Sequence, residues 1–388
     1  MAETRPPVSP RYEEGRRLWS AGHAIVVCAL ALSFGLLLNA PGVHKKAYNG
    51  EAGWRRDLAT AITGPLASFS HGLRLDRPRS ALQTAIGRSG ADRIDTDLRI
   101  AVPGLQPVPG DRTPLSIVRG PKSTTPERVT EADPVKPAFT PKRKLRIWIA
   151  GDSLVITPGY AIRRAAAKTQ VAEGISVDGR IGTGLGRPDV FNWFSHLRSE
   201  LRALRPGVVV LAFGGNDDKA FMTGVPDGTT IGEFGGVAWR REYRRRVAGV
   251  LDIAARAGAH AVWIGLPQTA DAGQTRRYRV VNSVVAAEAR QRTGKVTFVD
   301  TFALLTGPDG QYAQYVKNPR GRLVRVRAAD GVHFEREGGD VIARVVVKAL
   351  GRTYDLTSWK QKRQVASAAA SARAGRADPS SSSRTPPR

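Results

Sequence analysis

Cysteine is all but missing from this chain. The single Cys28 rules out an intrachain disulfide and any cysteine zinc site, and its place in an apolar run reads as a small buried hydrophobe. Histidines number six, and none stands in a His-Glu-x-x-His or comparable ligand spacing, so neither a metal nor another cofactor is expected. There is no internal repeat, no Gly-Lys-Ser/Thr phosphate loop and no dinucleotide fingerprint. Acidic residues are few, 34 against 60 Lys and Arg, which leaves a net charge of +26. That balance invites a nucleic-acid reading. Aromatics make up only 7% of the chain, however, and no helix interleaves them with a concentrated basic stripe, so no specific nucleic-acid partner is expected. The excess is mostly arginine scattered through an Ala/Gly/Arg-rich chain, and anionic lipid head groups or acidic wall polymers suit it equally well.

What is present comes in blocks. Residues 1–20 are polar and basic, the expected cytoplasmic N-terminus. Ala21–Ala40 is uncharged and apolar over the ~20 residues a helix needs to cross a bilayer. A cleaved signal peptide is the competing reading. The run is long for one, and Pro41 directly after Ala40 disfavours cleavage there, so an uncleaved single-pass anchor is preferred. His23 inside it reads as a tolerated interfacial residue. Residues 41–101 form a membrane-proximal region in which Leu58, Ile62, Leu66 and Phe69 recur at helical spacing. Residues 102–144 shift to Pro, Thr, Lys and Arg without periodicity, the composition of a semi-rigid linker. Residues 356–388 end in an Ala/Ser/Arg/Pro-rich tail expected to be disordered. This order places the main domain outside the membrane.

Residues 145–355 alternate strand and helix patterns. Strands are expected at Leu145–Ala150, Gly174–Val177, Gly207–Phe213, Ala259–Gly265 and Lys295–Val299, with helices near 159–172, 188–204, 236–257, 274–292 and 338–350. Crossovers of that length imply a parallel sheet with helices on both faces, a three-layer α/β/α domain.

Four stretches carry chemistry. Gly151-Asp152-Ser153-Leu154 follows the first strand, with a helix expected to open at Pro158 and Thr157 as its cap. Ser153 therefore falls at the carboxyl edge of the sheet, where ligands bind in open α/β folds. The loop Asp178–Asp189 (DGRIGTGLGRPD) follows the second strand, and its glycines allow backbone N–H groups to approach a reacting carbonyl. Gly214-Gly215-Asn216-Asp217 closes the third. Before the last helix, Asp330-Gly331-Val332-His333 has a spacing that lets the carboxylate fold back onto the imidazole Nδ1–H. Asp152 and Asp217 read as turn-fixing residues, with Asp217 the first alternative for the acid. His196 and His260 read as ordinary.

Taken together, GDS, a Gly loop, GxND and DxxH in this order resemble the SGNH/GDSL hydrolase superfamily over about residues 145–351. The Trp239, Tyr243, Arg246 spacing, the GTGLGRPD loop and the N-terminal apolar run narrow the likeness to the membrane-anchored bacterial branch described as DUF459, a domain of unknown function. The resemblance implies an SGNH-hydrolase-like (flavodoxin-like) sheet and acyl transfer through an acyl-serine. By motif, Ser153 would be the nucleophile, His333 the base and Asp330 its orienting acid. The Ser153 N–H, a loop glycine (Gly184, with Gly182 the alternative) and the Asn216 amide would form the oxyanion hole. Three readings stay open: an extracytoplasmic esterase or deacetylase on O-acylated glycans or small esters; an O-acyltransferase of wall or capsular polysaccharide beside a membrane acyl-donor protein; and a non-catalytic envelope-binding protein on a hydrolase fold.

Overall fold

A computed structural model describes residues 21–50, 53–86, 90, 92–100, 136–360, 364–365 and 367–368. The expected N-terminus (1–20), most of the linker and most of the tail lie outside the described residues. The chain forms two compact units, Met1–Ile94 and Asp95–Arg388.

The first unit is helical: α1 (Ala21–Leu38), α2 (Ala40–Tyr48), α3 (Trp54–Gly72) and α4 (Arg77–Ala85). Helix α1 is 18 residues long, with no formal charge and no buried residue. Among the described residues it is the one helix long and apolar enough to cross a membrane, a test that a signal sequence also passes. Cys28 is exposed on α1, which corrects the expectation of a buried hydrophobe, because no protein packs around the middle of this helix. The Ser70 hydroxyl donates to the Leu37 carbonyl at 2.6 Å, and the His44 ring bonds the Thr63 hydroxyl at 3.0 Å. These bonds tie α3 to the end of α1 and to α2. The stripe Leu58, Ile62 and Phe69 stays exposed on α3.

The second unit is the sheet domain. Its elements are β1 (Leu145–Gly151), α5 (Ile156–Thr169), β2 (Ala172–Gly179), α6 (Trp193–Leu204), β3 (Val208–Ala212), α7 (Val237–Arg256), β4 (His260–Ile264), α8 (Ala272–Arg290), β5 (Val296–Val299), the short hairpin β6 (Tyr315–Lys317) and β7 (Leu323–Arg325), and α9 (Arg336–Thr353). Five parallel strands run in the order β2-β1-β3-β4-β5, as the alternating pattern implied. Helices α5 and α9 pack together on one face, and α6, α7 and α8 pack side by side on the other. β1 and β3 are buried along almost their whole length, because helices cover both faces. The order reverses between β1 and β3, where doubly wound sheets open a crevice for ligands. Gly151, Gly179 and Ala212 lie in one row across β1, β2 and β3, so the loops that follow these three strands emerge at one level.

Helix starts differ from expectation. Ser153–Val155 form a 3₁₀ turn whose cap is Asp152, and α5 begins at Ile156 rather than Pro158. Pro158 falls in the first turn, where its missing N–H needs no acceptor. α6 begins at Trp193, not near Pro188, because the preceding residues are held in the Gly-rich loop; Asn192 caps it, accepting from the Ser195 N–H at 3.0 Å.

The domain also reaches beyond 145–355. Residues 95–100 run along α6 and α7: Leu98 is buried, Arg198 donates to the carbonyls of Leu98 and Arg99, and the Asn192 amide bonds the carbonyls of Asp95 and Asp97. On the other side Ala138 bridges to Asp355, and the Phe139 ring meets Tyr354 edge-on at 5.7 Å. A single buried leucine in an aperiodic segment leaves no mark that a pattern search finds.

Candidate active site

The site is assembled from loops that leave the sheet at the switch point. Ser153 opens the turn after β1. Its Oγ lies 2.8 Å from His333 Nε2, and His333 Nδ1 lies 2.6 Å from Asp330 Oδ2, so residues separated by 180 positions meet in one line. With the Nδ1 proton directed at the carboxylate, Nε2 is left to accept from the serine hydroxyl. The other oxygen of Asp330 accepts from the backbone N–H groups of Val332 and His333, each at 2.9 Å, which closes the Asp-x-x-His turn. Partial desolvation opposes ionisation of Asp330, but these two N–H groups and the His333 ring outweigh it and hold the carboxyl down at about 2. It is therefore ionised throughout the neutral range. The pair is open to solvent, with about half of the Asp330 side chain and 40% of the His333 side chain exposed.

The loop that carries His333 is held from beneath. Arg327 is fully buried and donates to the carbonyls of Gln268 (2.6 Å), Val332 (2.5 Å) and His333 (3.2 Å). Burial lowers its pKa to about 10, which leaves it cationic at neutral pH. Sequence reasoning missed this residue, since it ends a run of exposed basic residues and nothing sets it apart.

Asp152 and Asp217 are both buried and bind backbone, as expected of turn-fixing residues. Asp152 accepts from the N–H of Leu154 at 2.9 Å and from that of Gly215 at 2.8 Å, joining the Ser153 turn to the turn after β3. Asp217 accepts from the N–H of Leu185 (2.9 Å) and Gly186 (2.7 Å) in the Gly-rich loop. Asn216 donates through Nδ2 to the Thr183 carbonyl at 2.8 Å. Gly184 is buried, and a Cβ there would fall 2.2 Å from Asp217 Oδ1, whereas Gly182 is exposed with open space around it. Among the described residues, no acceptor within the chain takes the N–H of Ser153 or of Gly184. His196 pairs with Asp178, and His260 bonds the Thr297 hydroxyl at 2.8 Å; both lie outside the line through Ser153. Among the described residues, no group of His, Cys, Asp and Glu is arranged to hold a metal ion.

Burial pushes the Asp152 carboxyl up to about 7, against the pull of its two N–H donors, and the nearby Asp217 charge adds to the rise. An acid that binds its proton more tightly when folded loses stability as the pH rises from its unfolded value, near 4, through its folded one. Stability is therefore expected to fall between about pH 4 and pH 7 and then to level off. Thermal unfolding at pH 5 and pH 8, at one ionic strength, checks this, and Asp152→Asn is expected to flatten the difference.

A family model described as a protein of unknown function (DUF459) matches residues 146–349, more than half of the chain. No curated protein matches the sequence. Among solved structures, the chain is similar to a GDSL-like lipase from Bacteroides thetaiotaomicron, with 17% identity, a TM-score of 0.38 and coverage of 54% of this chain and 88% of that one. It is also similar to a family 3 carbohydrate esterase from Clostridium thermocellum, with 14% identity, a TM-score of 0.36 and coverage of 53% and 94%. A third is a psychrotrophic esterase from a Pseudoalteromonas species, with 13% identity, a TM-score of 0.37 and coverage of 54% and 98%.

Proposed function

We propose, from the premise that this chain belongs to the DUF459 family, that it is a serine esterase or deacetylase of the SGNH/GDSL type working through an acyl-serine. One observation carries the reading: the continuous line from Ser153 Oγ through the His333 ring to Asp330, at 2.8 and 2.6 Å. His333 Nε2 takes the hydroxyl proton as Oγ attacks the ester carbonyl, and it returns that proton to the departing alcohol. Asp330 stays ionised and stabilises the imidazolium. Water then attacks the acyl-serine with His333 again as base, which releases the acid and restores the hydroxyl. The oxyanion is assigned to the N–H groups of Ser153 and Gly184 and to the Asn216 amide, which lies beside the loop it would act with.

The exposure of His333 and Asp330 favours water as acceptor over a closed transferase pocket, and a site open to solvent admits an ester carried on a large molecule. With α1 as a single-pass anchor, the domain faces outward, where O-acylated envelope glycans are the substrate class that fits. Transfer of the acyl group to a glycan hydroxyl is the second reading. It shares every step up to the acyl-serine.

The full chain in detergent is expected to hydrolyse a chromogenic acetate ester and to be labelled at Ser153 by a fluorophosphonate. Absence of both turnover and label sinks the proposal. Acetyl transfer to an oligosaccharide that outpaces hydrolysis would favour the transferase.

A further inference from the structure

The Gly-rich loop has no regular structure, yet residues 183–186 are buried, so each of its peptide groups needs a partner. Side chains supply five of them, and the Gly184 N–H is left without an acceptor in the chain among the described residues. The Thr183 carbonyl is held by Asn216, and the N–H groups of Leu185 and Gly186 point at Asp217. The carbonyls of Leu185 and Gly186 face Arg246 Nη1 at 2.7 and 3.3 Å. Arg246 Nη2 donates to the Thr223 carbonyl at 2.7 Å, and the Thr223 N–H returns to Gly186. The loop is thus gripped between a carboxylate on its N–H side and a guanidinium on its C=O side.

Both grips lead to one helix face. Trp239, Tyr243 and Arg246 are four and three residues apart on α7, the spacing that aligns side chains along a helix. Tyr243 donates its hydroxyl to Asp217 Oδ2 at 2.9 Å, and the Trp239 ring stacks on Tyr243 and donates Nε1 to the Lys219 carbonyl at 2.8 Å. Arg246 is fully buried and donates Nε to Glu242 at 2.7 Å, which supplies the compensating charge a lone buried cation would lack.

We propose that Arg246 and Tyr243 are positioning residues: acting through Asp217 and the carbonyls of Leu185 and Gly186, they hold the Gly184 N–H in the place where it receives the oxyanion. This rests on the acyl-serine reading above. The loop itself donates; the helix face sets its orientation.

The test uses the full chain with Arg246→Lys and Tyr243→Phe, which keep the charge and the ring respectively, and reads two independent quantities. The first is kinetics on an acetate ester: kcat is expected to fall by roughly 10²-fold in Arg246→Lys, the scale of one misplaced oxyanion donor, and less in Tyr243→Phe, with KM moving by no more than about threefold. The second is amide hydrogen exchange. The peptide covering 183–187 is expected to lose protection in both variants while the β1 and β3 peptides keep theirs. Wild-type kcat with an exposed loop, or a lost kcat with a fully protected loop, overturns the proposal. If the wild-type protein is inactive yet the variants deprotect only this loop, the acyl-serine reading has failed and the clamp itself stands. Loss of protection across the whole sheet in both variants would also overturn it, by showing a core role instead.

Discussion

Replacing Ser153 by alanine is expected to lower kcat on a small acetate ester by roughly 10⁵-fold or more and to abolish fluorophosphonate labelling. The substitution removes only the hydroxyl, which stands 2.8 Å from His333 Nε2, so on the proposed reading it removes the group that carries the acyl bond. His333→Ala is expected to cost about as much, because an unassisted hydroxyl is a poor nucleophile at its own pKa. The double variant is expected to lose hardly more than either single one, since the pair acts as a unit. Asp330→Asn is expected to cost less than either, because half of that side chain faces water, which shares the task of stabilising an imidazolium. Initial rates for the four proteins, with mass spectrometry of the labelled peptide, check the set. A Ser153→Ala protein that retains turnover would move the nucleophile elsewhere. The Asp330 carboxyl, held at about 2, adds stability above its unfolded value near 4 that disappears only as the pH falls toward 2.

Gly151→Ala carries the largest expected effect on stability. A Cβ at this position would lie 2.0 Å from the Ala212 carbonyl oxygen and 2.9 Å from its carbon, both backbone atoms of the neighbouring strand. The residue is paired with Gly179 on one side and Ala212 on the other, and the next N–H, that of Asp152, donates to the same Ala212 oxygen at 3.0 Å. Neither strand can give way without breaking the ladder that aligns Ser153 with Asn216. The cost is expected to be about 3 kcal/mol or more, seen as a fall in Tm on the order of 10 °C. Gly182→Ala is the contrasting control. Its φ of +73° is strained for alanine, but open space surrounds it, so a loss of only about 1 kcal/mol is expected. Calorimetry of both variants, with activity measured below their transitions, separates the two kinds of glycine. Gly151 serves close approach, not turn conformation.

Much of the sheet was legible from local pattern. The strand runs are short, apolar and β-branched, and each strand of the five-stranded sheet falls within about two residues of its expected bounds, whereas the three-residue strands β6 and β7 were not expected. Helix starts were less so. Pro158 and Pro188 look like first-turn signals, but Asp152 and Asn192 take the capping bonds, and which polar residue does so depends on the loop before it. The leucine at 98 packs along α6 and α7 from a segment with no periodicity, so only the folded chain reveals it.

For the site, residue order alone sets which types stand at which strand ends: Ser153 after β1, Asn216 after β3, and the Asp330–His333 turn before α9. The chemistry of acyl transfer could be reasoned from those alone. Folding is what brings Ser153 Oγ within 2.8 Å of His333 Nε2 and buries Gly184, not Gly182, against Asp217. It also assigned Arg246 and Arg327 to backbone carbonyls instead of to solvent. An arginine in an arginine-rich chain looks the same in sequence whether its guanidinium meets water or a carbonyl. Which of the two it meets is set by the packing of elements far apart along the chain.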